Sequence, residues 1–457
     1  MQDTIAAIAT GRVVSAIGII RVSGSQAISA ADKIFRAANR VRLADAEARR
    51  MYYGELAGDS GELIDLCLCM VSHAPDSYTG EDTVEFHCHG SPVVLSEVLR
   101  VLSVHGVRQA QAGEFTKRAF LNGRMDLTQA EAVIDIIEAE TLLAARNAAG
   151  QLGGAVGKKL EAVYSSLIGI MAHFHAVIDY PDEDIDDFRM QGYLAELKDA
   201  GEKLARLAKT HERGRILRDG IPAVIVGRPN TGKSSLLNAL LGYERAIVTD
   251  IPGTTRDTIE EKALICGVLL RLIDTAGIRK TEETVEKHGV ARTMTAMGDA
   301  GLIIMVLDGS EEMREDDFAL MHSIPEGVPR IAAINKSDLP LAINPQLTIR
   351  DSQSPCCFVS ALTGEGLEDL EAEIKRLFPE PEGQSAGEVI TNARQFDAIS
   401  RAGAGIAGAI ASIEAAVTPD AVLTEVEAAL SAIGEITGKN MREDIIEHIF
   451  NRFCVGK

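Results

Sequence analysis

Several things are scarce or missing in this 457-residue chain. No uninterrupted apolar run reaches the roughly 20 residues that a membrane-spanning helix needs. Positive charge is outnumbered: 46 Lys and Arg stand against 67 Asp and Glu, a formal charge of −21. Broad nucleic-acid binding draws its affinity from neutralised phosphates, so any RNA contact here must use a local patch or a partner. Cysteines number seven, odd and scattered, which suits a reducing cytoplasm better than a disulfide framework. The chain opens Met1-Gln2-Asp3, without the basic start of a secretory signal, so a cytoplasmic protein is expected. What is plentiful is apolar residues, at 46%. They suffice for several cores, and the length suggests about two to four domains.

Residues 227–234 read Gly-Arg-Pro-Asn-Thr-Gly-Lys-Ser, the phosphate-binding loop pattern G-x-x-x-x-G-K-[ST]. An apolar run at 223–226 precedes the loop and a helical pattern at 235–241 follows it. That strand–loop–helix context is the one the motif needs. Gly227 and Gly232 let the backbone wrap a phosphate with its N–H groups inward. The helix N-terminus behind adds a positive dipole end. Lys233 supplies a point charge, and the Ser234 hydroxyl can ligate Mg²⁺.

Three more segments decide which nucleotide binds. Residues 272–277, Leu-Ile-Asp-Thr-Ala-Gly, form a strand ending in Asp-x-x-Gly, where Asp274 can hold Mg²⁺ through water and the Gly277 N–H can meet a γ-phosphate. Asn335-Lys336-Ser337-Asp338 follows the apolar run 331–334. The Asp338 carboxylate can accept from guanine N1–H and its exocyclic amine, a donor pair adenine lacks. Ser360-Ala361 fits a backbone contact to guanine O6. Between the loop and Asp274, residues 249–257 occupy the place of a first switch, and Thr254 and Thr255 offer hydroxyls that could close on Mg²⁺ and the γ-phosphate. The candidate GTP contacts are therefore Gly227, Asn230, Thr231, Gly232, Lys233, Ser234, Ser235, Thr249, Thr254, Thr255, Asp274, Thr275, Ala276, Gly277, Asn335, Lys336, Asp338, Ser360 and Ala361, with Ser234 and Thr255 on Mg²⁺. Ile278 stands where Ras-type enzymes carry a water-orienting glutamine. Isoleucine cannot do that work, so Glu282, Glu283, Glu286 or a partner must.

The expected fold is a multidomain α/β and α chain. An N-terminal α+β domain spans 1–120, with strands at 16–22, 67–72 and 83–88 and a helix at 91–104. A helical domain spans 121–214 and resumes at 382–457, with helices at 389–415, 421–436 and 442–453. Ala130, Val133, Ile134 and Ile137 recur at helical spacing, as do Leu160, Val163, Leu167, Ile170, Met171 and Phe174. A P-loop α/β GTPase domain, 215–381, is inserted into the helical domain, with joints at Gly214 and at residues 379–383.

Motifs outside the GTPase block carry a family resemblance. They are residues 3–7, 21–24, 81–85, 113–123 (Gly-Glu-Phe-Thr-Lys-Arg-Ala-Phe-Leu-Asn-Gly), 126–132, 436–438 and the ending Phe453-Cys454-Val455-Gly456-Lys457. With 249–257 they make the whole chain resemble the MnmE (TrmE) family of bacterial and organellar tRNA-modification GTPases. The family's Pro-Pro-Gly-Arg-Gly loop is replaced here by Gly11-Arg12-Val13-Val14-Ser15.

The resemblance implies a K⁺-stimulated GTPase that works with a flavoprotein partner, MnmG, in a heterotetramer or larger assembly. The complex modifies C5 of the wobble uridine of certain tRNAs. A tetrahydrofolate derivative bound by the N-terminal domain, which also forms a homodimer, supplies the one-carbon unit. It implies that Glu286 orients the water and that K⁺ sits on Asn230, Thr249, Ile251 and Thr254. Arg21 and Lys457 become candidates for the folate, and Cys454 for the chemistry on tRNA. A buried structural thiol is the alternative for Cys454; lipidation does not fit, because Lys457 is a poor final residue.

Other features read as ordinary. His87-Cys88-His89 lacks a second ligand pair spaced for zinc. The acidic run 182–187 lacks the glycine and distal glutamate of a calcium loop. Cys356-Cys357 reads as strand packing. Lys117, Arg118 and Arg124 are the densest basic group near the N-terminal domain's edge, a tRNA or folate contact or a solvated face. Two rival functions stand beside the main one: a ribosome-assembly GTPase of the Era or Der type, and a nucleotide-gated scaffold without chemistry of its own.

Overall fold

A computed structural model describes residues 3–11, 13–179, 187–243, 260–273, 297–343, 355–379, 387–440, 446, 449–451 and 453–456. Two compact units emerge. The first comprises Met1–Ile134, Gln151–Ala205 and Asp397–Lys457; the second comprises Asp135–Gly150 and Arg206–Phe396. The larger piece of the second lies, in sequence, between helical stretches of the first. An α+β sheet domain, a helical region and an α/β domain set within that region are all present, as the sequence predicts.

The first unit opens with β1 (Ile5–Ile8), β2 (Ser15–Ser23), α1 (Ala27–Ile34), β3 (Phe35–Ala37), β4 (Met51–Ala57), β5 (Leu63–Ser72), β6 (Thr83–Gly90), α2 (Pro92–Val104), β7 (Arg108–Gln109), α3 (Glu114–Leu121) and α4 (Leu127–Ile137). The strands form one sheet in the order β3-β4-β5-β6-β2-β1-β7. Side chains alternate across a strand, so Ile20 and Val22 enter the core while Arg21 points to the other face. Pro92 suits the first turn of α2, where an N–H would lack a partner anyway. Leu95, Val98, Val101 and Leu102 then lay one apolar stripe of α2 onto the sheet. On the outer sheet face Ile17, Met51, Tyr53, Leu66 and Leu68 remain exposed. They lie on strands that neighbour one another across β4, β5, β6 and β2, where Tyr53 pairs with Leu68 and Ile17 with His89.

Helices α5 (Leu142–Leu152), α6 (Ala155–Asp179) and α7 (Asp187–Ala208) follow. The predicted stripe of α6 is buried at Leu160, Val163, Leu167, Ile170 and Phe174, while Met171 is half-buried.

In the second unit come α8 (His211–Asp219), β8 (Ile221–Val226), α9 (Lys233–Tyr243), β9 (Glu260–Ile265), β10 (Val268–Ile273), β11 (Leu302–Asp308), α10 (Glu315–Ser323), β12 (Arg330–Asn335), β13 (Cys356–Phe358) and α11 (Leu367–Leu377). The sheet order is β13-β12-β11-β8-β10-β9. All pairings are parallel except β9 with β10. Every residue of β11 is buried, as expected of a parallel strand covered on both faces. In such sheets ligands bind beyond the carboxyl ends of the strands, where the order of connection reverses. Here those ends carry the loops after β8, β12 and β13. Gly214, read from the sequence as a joint, stands inside α8, and a Cβ there would collide with the Ile390 carbonyl.

The chain closes with α12 (Ala393–Glu414) and α13 (Pro419–Thr437). Gly438, in the left-handed conformation at φ +87°, ends α13. Helix α13 packs on α6. Most of the predicted helix 442–453 lies outside the described residues; Ile446, Ile449 and Phe450 within it are buried.

Candidate nucleotide site

The loop after β8 is shaped by what its glycines lack. A Cβ on Gly227 would strike the Val306 carbonyl of β11, and one on Gly232 would strike the Asn335 side-chain amide. Gly232 also takes φ +92°, and Asn230 φ +64°, a region that glycine and asparagine enter most readily. Thr231 is buried and its Oγ1 donates to the Arg228 carbonyl at 3.0 Å. Lys233 Nζ donates to the carbonyls of Gly227 at 2.9 Å and Arg228 at 2.7 Å, so its ammonium lies across its own loop. The residues of Ser234 and Ser235 are exposed in the first turn of α9. Backbone N–H groups, a helix N-terminus and an ammonium thus converge as an anion cradle.

The loop after β12 is tied to that cradle. Asn335, buried, donates from Nδ2 to the Thr231 carbonyl at 2.8 Å and accepts at Oδ1 from the Ala361 N–H at 2.9 Å. One side chain joins the phosphate loop, the β12 loop and the β13 loop. Ser360 Oγ donates to Asp338 Oδ1 at 2.6 Å, orienting an otherwise exposed carboxylate. Lys336 Nζ pairs with Asp308 Oδ2 at the end of β11. The twelve described candidate contacts, seven from Gly227 to Ser235 in the first loop and five from Asn335 to Ala361 in the others, therefore lie on loops that are bonded to one another.

Two supports escaped the sequence reading. Arg228 Nε donates to Asp317 Oδ1 at 2.8 Å, and Asp317 Oδ2 accepts the Arg314 N–H at 3.0 Å, capping α10. Asp308 is the second; its carboxyl is lowered in pKa although burial opposes this, because Lys336 and Ser310 donate to it. Neither belongs to a motif, and the only signal for Asp308 is an acid ending an otherwise apolar strand. Thr249, Ile251, Thr254, Thr255, Asp274, Thr275, Ala276, Gly277, Ile278, Glu282, Glu283 and Glu286 lie outside the described residues, as does Lys457.

A second polar constellation sits in the N-terminal sheet. Arg21 Nε donates to Glu85 Oε1 at 2.8 Å, and its guanidinium lies 5.3 Å from the Tyr78 ring centroid and 5.8 Å from that of Phe115. Such cation–π placement is favourable. Burial raises the Tyr78 pKa, against Thr116 and Arg21. The basic group read at 117–124 divides: Arg118 is buried and bonded to Asp3, Glu81 and Glu114, whereas Lys117 is half-buried and Arg124 exposed. A buried cation must be paired; Asp3 and Glu81 come from distant parts of the sequence, and Glu114 from one turn earlier in α3.

The C-terminal tail reaches this same sheet. Phe450 and Phe453 pack with Leu127 and Phe120. The Gly113 N–H donates to the Cys454 carbonyl at 3.3 Å, and Val455 bridges Ala112. A Cβ on Gly456 would strike the Ile8 carbonyl of β1; the preceding residue of that strand, Ala7, is the register partner of Arg21. Cys454 is exposed, whereas Cys67, Cys69, Cys88 and Cys357 are buried. Burial pushes the Cys357 thiol up to about 12. His89 Nδ1 lies 2.7 Å from Asp65 Oδ1, and Cys88 between the two histidines faces the core.

Residues 4–124 match the family description "GTP-binding protein TrmE N-terminus", and residues 127–454 match "MnmE helical domain". A tRNA modification GTPase MnmE of Thermoanaerobacter sp. (strain X514) is 42% identical over 100% of this chain and 99% of its own length. That of Clostridioides difficile (strain 630) is 40% identical over 100% of both. Among solved structures, the G domain of the T. maritima FeoB iron transporter is 31% identical, covering 34% of this chain and 97% of that one, at a TM-score of 0.27. Aquifex aeolicus Era bound to GDP·AlF4⁻ is 26% identical, covering 40% and 66%, at a TM-score of 0.28. At such scores neither carries a structural argument.

Proposed function

The chain belongs to the MnmE family of tRNA modification GTPases, and from that premise we propose how its parts divide the work. Residues 215–381 bind and hydrolyse GTP with Mg²⁺ and K⁺. Residues 1–120 bind a tetrahydrofolate derivative and pair two chains into a homodimer. Residues 121–214 and 382–457 form the helical domain that carries Cys454. Together with an MnmG-like flavoprotein, in a heterotetramer or larger assembly in the cytoplasm, the chain modifies C5 of the wobble uridine of certain tRNAs.

One observation carries this reading: Asn335 binds the phosphate loop and the β13 loop at once. A triphosphate and a guanine can then be read by a single rigid surface. Lys233, now satisfied by two carbonyls, has an ammonium ready to exchange them for phosphate oxygens. Ser234 and Thr255 are the residues to hold Mg²⁺, and the exposed Ser234 at the start of α9 fits that role. Bound there, the ion neutralises charge that develops on the phosphates. Asp338, steadied by Ser360, accepts from the guanine edge. Glu286 orients the water that Ile278 cannot, and Asn230, Thr249, Ile251 and Thr254 are the K⁺ ligands. Asn230 is exposed in its left-handed turn, where its amide oxygen can serve.

Further observations support the other parts. The apolar outer face at Ile17, Met51, Tyr53, Leu66 and Leu68 is the kind of patch that marks a protein interface. Arg21, held by Glu85 and close to the Tyr78 and Phe115 rings, is the proposed cation for an anionic ligand, with Lys457 as a second. No helix among the described residues is long and apolar enough to cross a membrane.

GTP turnover of the purified chain, assayed in K⁺ and in Na⁺ alongside Glu286→Ala, tests the GTPase mechanism. Turnover should fall steeply in Na⁺ and in the variant, while GTP binding persists. Equal rates in the two salts would refute the ion's role; an unimpaired Glu286→Ala would refute that of the glutamate.

A further inference from the structure

Lys336 stands at φ +64°. A residue with a long side chain keeps such a conformation only when its surroundings hold it there. Its Nζ is bound by Asp308 Oδ2. The Asp308 side chain is 6% exposed, and its other oxygen accepts from the Ser310 N–H at 3.0 Å and Oγ at 2.6 Å. The carboxylate is thus a fixed post built into the end of β11, with its own orientation set by Ser310.

Besides two backbone bonds, from the Gly309 N–H to the Asn335 carbonyl at 2.8 Å and from the Ser337 N–H to the Val359 carbonyl at 3.1 Å, side chains pin the loop from Asn335 to Asp338 at three places. Asn335 is tied to Thr231 and Ala361, and Asp338 to Ser360. Among these side-chain pins the third, Lys336 to Asp308, is the one that leaves the nucleotide motifs and reaches a neighbouring strand. We propose that Asp308 is a positioning residue for base selection: by holding Lys336 it fixes the backbone of 335–338, and with it the aim of the Asp338 carboxylate. The inference rests on the GTP-binding reading above. Its physical content is a separation of roles. The phosphate cradle has its own supports in Gly227, Thr231 and Arg228, and Asn335 keeps its bonds to Thr231, Ala361 and Gly309, so losing the third pin should loosen base recognition at Asp338 and spare phosphate recognition. Asp308 touches neither base nor phosphate in this scheme; it acts through Lys336.

Affinities for GDP and ADP, measured by calorimetry on the full chain with Mg²⁺, test this. Asp308→Asn keeps the shape and removes the charged acceptor. Asp308→Ser is assayed beside it, so that poor folding of one leaves the other. Lys336→Ala and the double variant complete a thermodynamic cycle. Loss of a hydrogen bond between charged groups should weaken GDP about tenfold or more and leave the weaker ADP binding unchanged. The Asp308 substitution should cost nothing further once Lys336 is alanine. Equal weakening of GDP and ADP, additive losses in the cycle, or unchanged GDP affinity would each overturn the inference. If the unsubstituted chain itself fails to bind GDP, the parent reading fails instead.

Discussion

Asn335 Nδ2 lies 2.8 Å from the Thr231 carbonyl, a bond that joins the loop able to read a base to the loop able to hold phosphates. Because the same side chain also takes the Ala361 N–H at 2.9 Å, three loops from the carboxyl ends of β8, β12 and β13 share one anchor. The residues proposed to read base and phosphate are then parts of one preorganised surface.

The first prediction concerns that surface. Asp338→Asn replaces an acceptor pair with a mixed donor and acceptor. It should weaken GTP and shift preference toward xanthosine triphosphate, whose added carbonyl accepts from the new amide. Competition titrations with the two nucleotides measure the shift. Unchanged GTP affinity would remove Asp338 from the site.

The second concerns the support of the phosphate loop. Asp317 is buried and serves two donors, Arg228 Nε and the Arg314 N–H. Asp317→Ala leaves Arg228 only its longer ion pair with Glu311, at 3.7 Å, and uncaps α10. Hydrogen bonds to charged groups contribute about 1.5–3 kcal/mol, so chemical denaturation should show a loss of at least that order. A loss below about 0.5 kcal/mol, the level of an ordinary surface substitution, would show that the pair is not structural.

The third is a pH dependence. Burial tends to raise the Glu114 pKa, but Arg108, the Gln111 N–H and Arg118 outweigh it, so the folded value lies below the ordinary 4.5. A depressed carboxylate stabilises the fold fully above its unfolded pKa, and that contribution is lost as pH falls through the folded value. Melting temperatures of the unsubstituted chain and Glu114→Gln should therefore differ near neutrality and converge well below pH 4.5. A gap that persists in strong acid would contradict the ion network around Arg118.

Much of this was legible in the sequence, for identifiable reasons. Strands β8 and β12 are apolar runs that end at motifs, and the α6 stripe repeats at 3.6 residues. Strand β4 was not foreseen, because Met51 and Tyr53 on its outer face are apolar and erase the alternation. Arg118 looked like surface charge, since its partners Asp3 and Glu81 are brought to it only by the fold. The close contact of Gly214 with Ile390, which its small size permits, had no local signal. The Asp308 and Asp317 contacts depend on pairs 28 and 89 residues apart, a separation no local pattern reveals.

The tail poses the fourth prediction. Cys454 is exposed, its carbonyl accepts from the Gly113 N–H, and Gly456 lies close against the Ile8 carbonyl in the strand pair that carries Arg21. It lies outside the phosphate-binding machinery in sequence and in role. Cys454→Ser should therefore leave folding and GTP turnover nearly intact while abolishing modification of the wobble uridine. A merely structural thiol predicts instead that melting temperature and both activities fall together.

The most direct measurement is the modified-nucleoside content of tRNA from cells that lack their own family member and express this chain. The unsubstituted chain should restore the C5-modified wobble uridine, and Lys233→Ala and Cys454→Ser, expressed at equal levels, should not. Absence of the modification with the well-expressed, unsubstituted chain and its flavoprotein partner present, or full restoration by Lys233→Ala, would contradict the account.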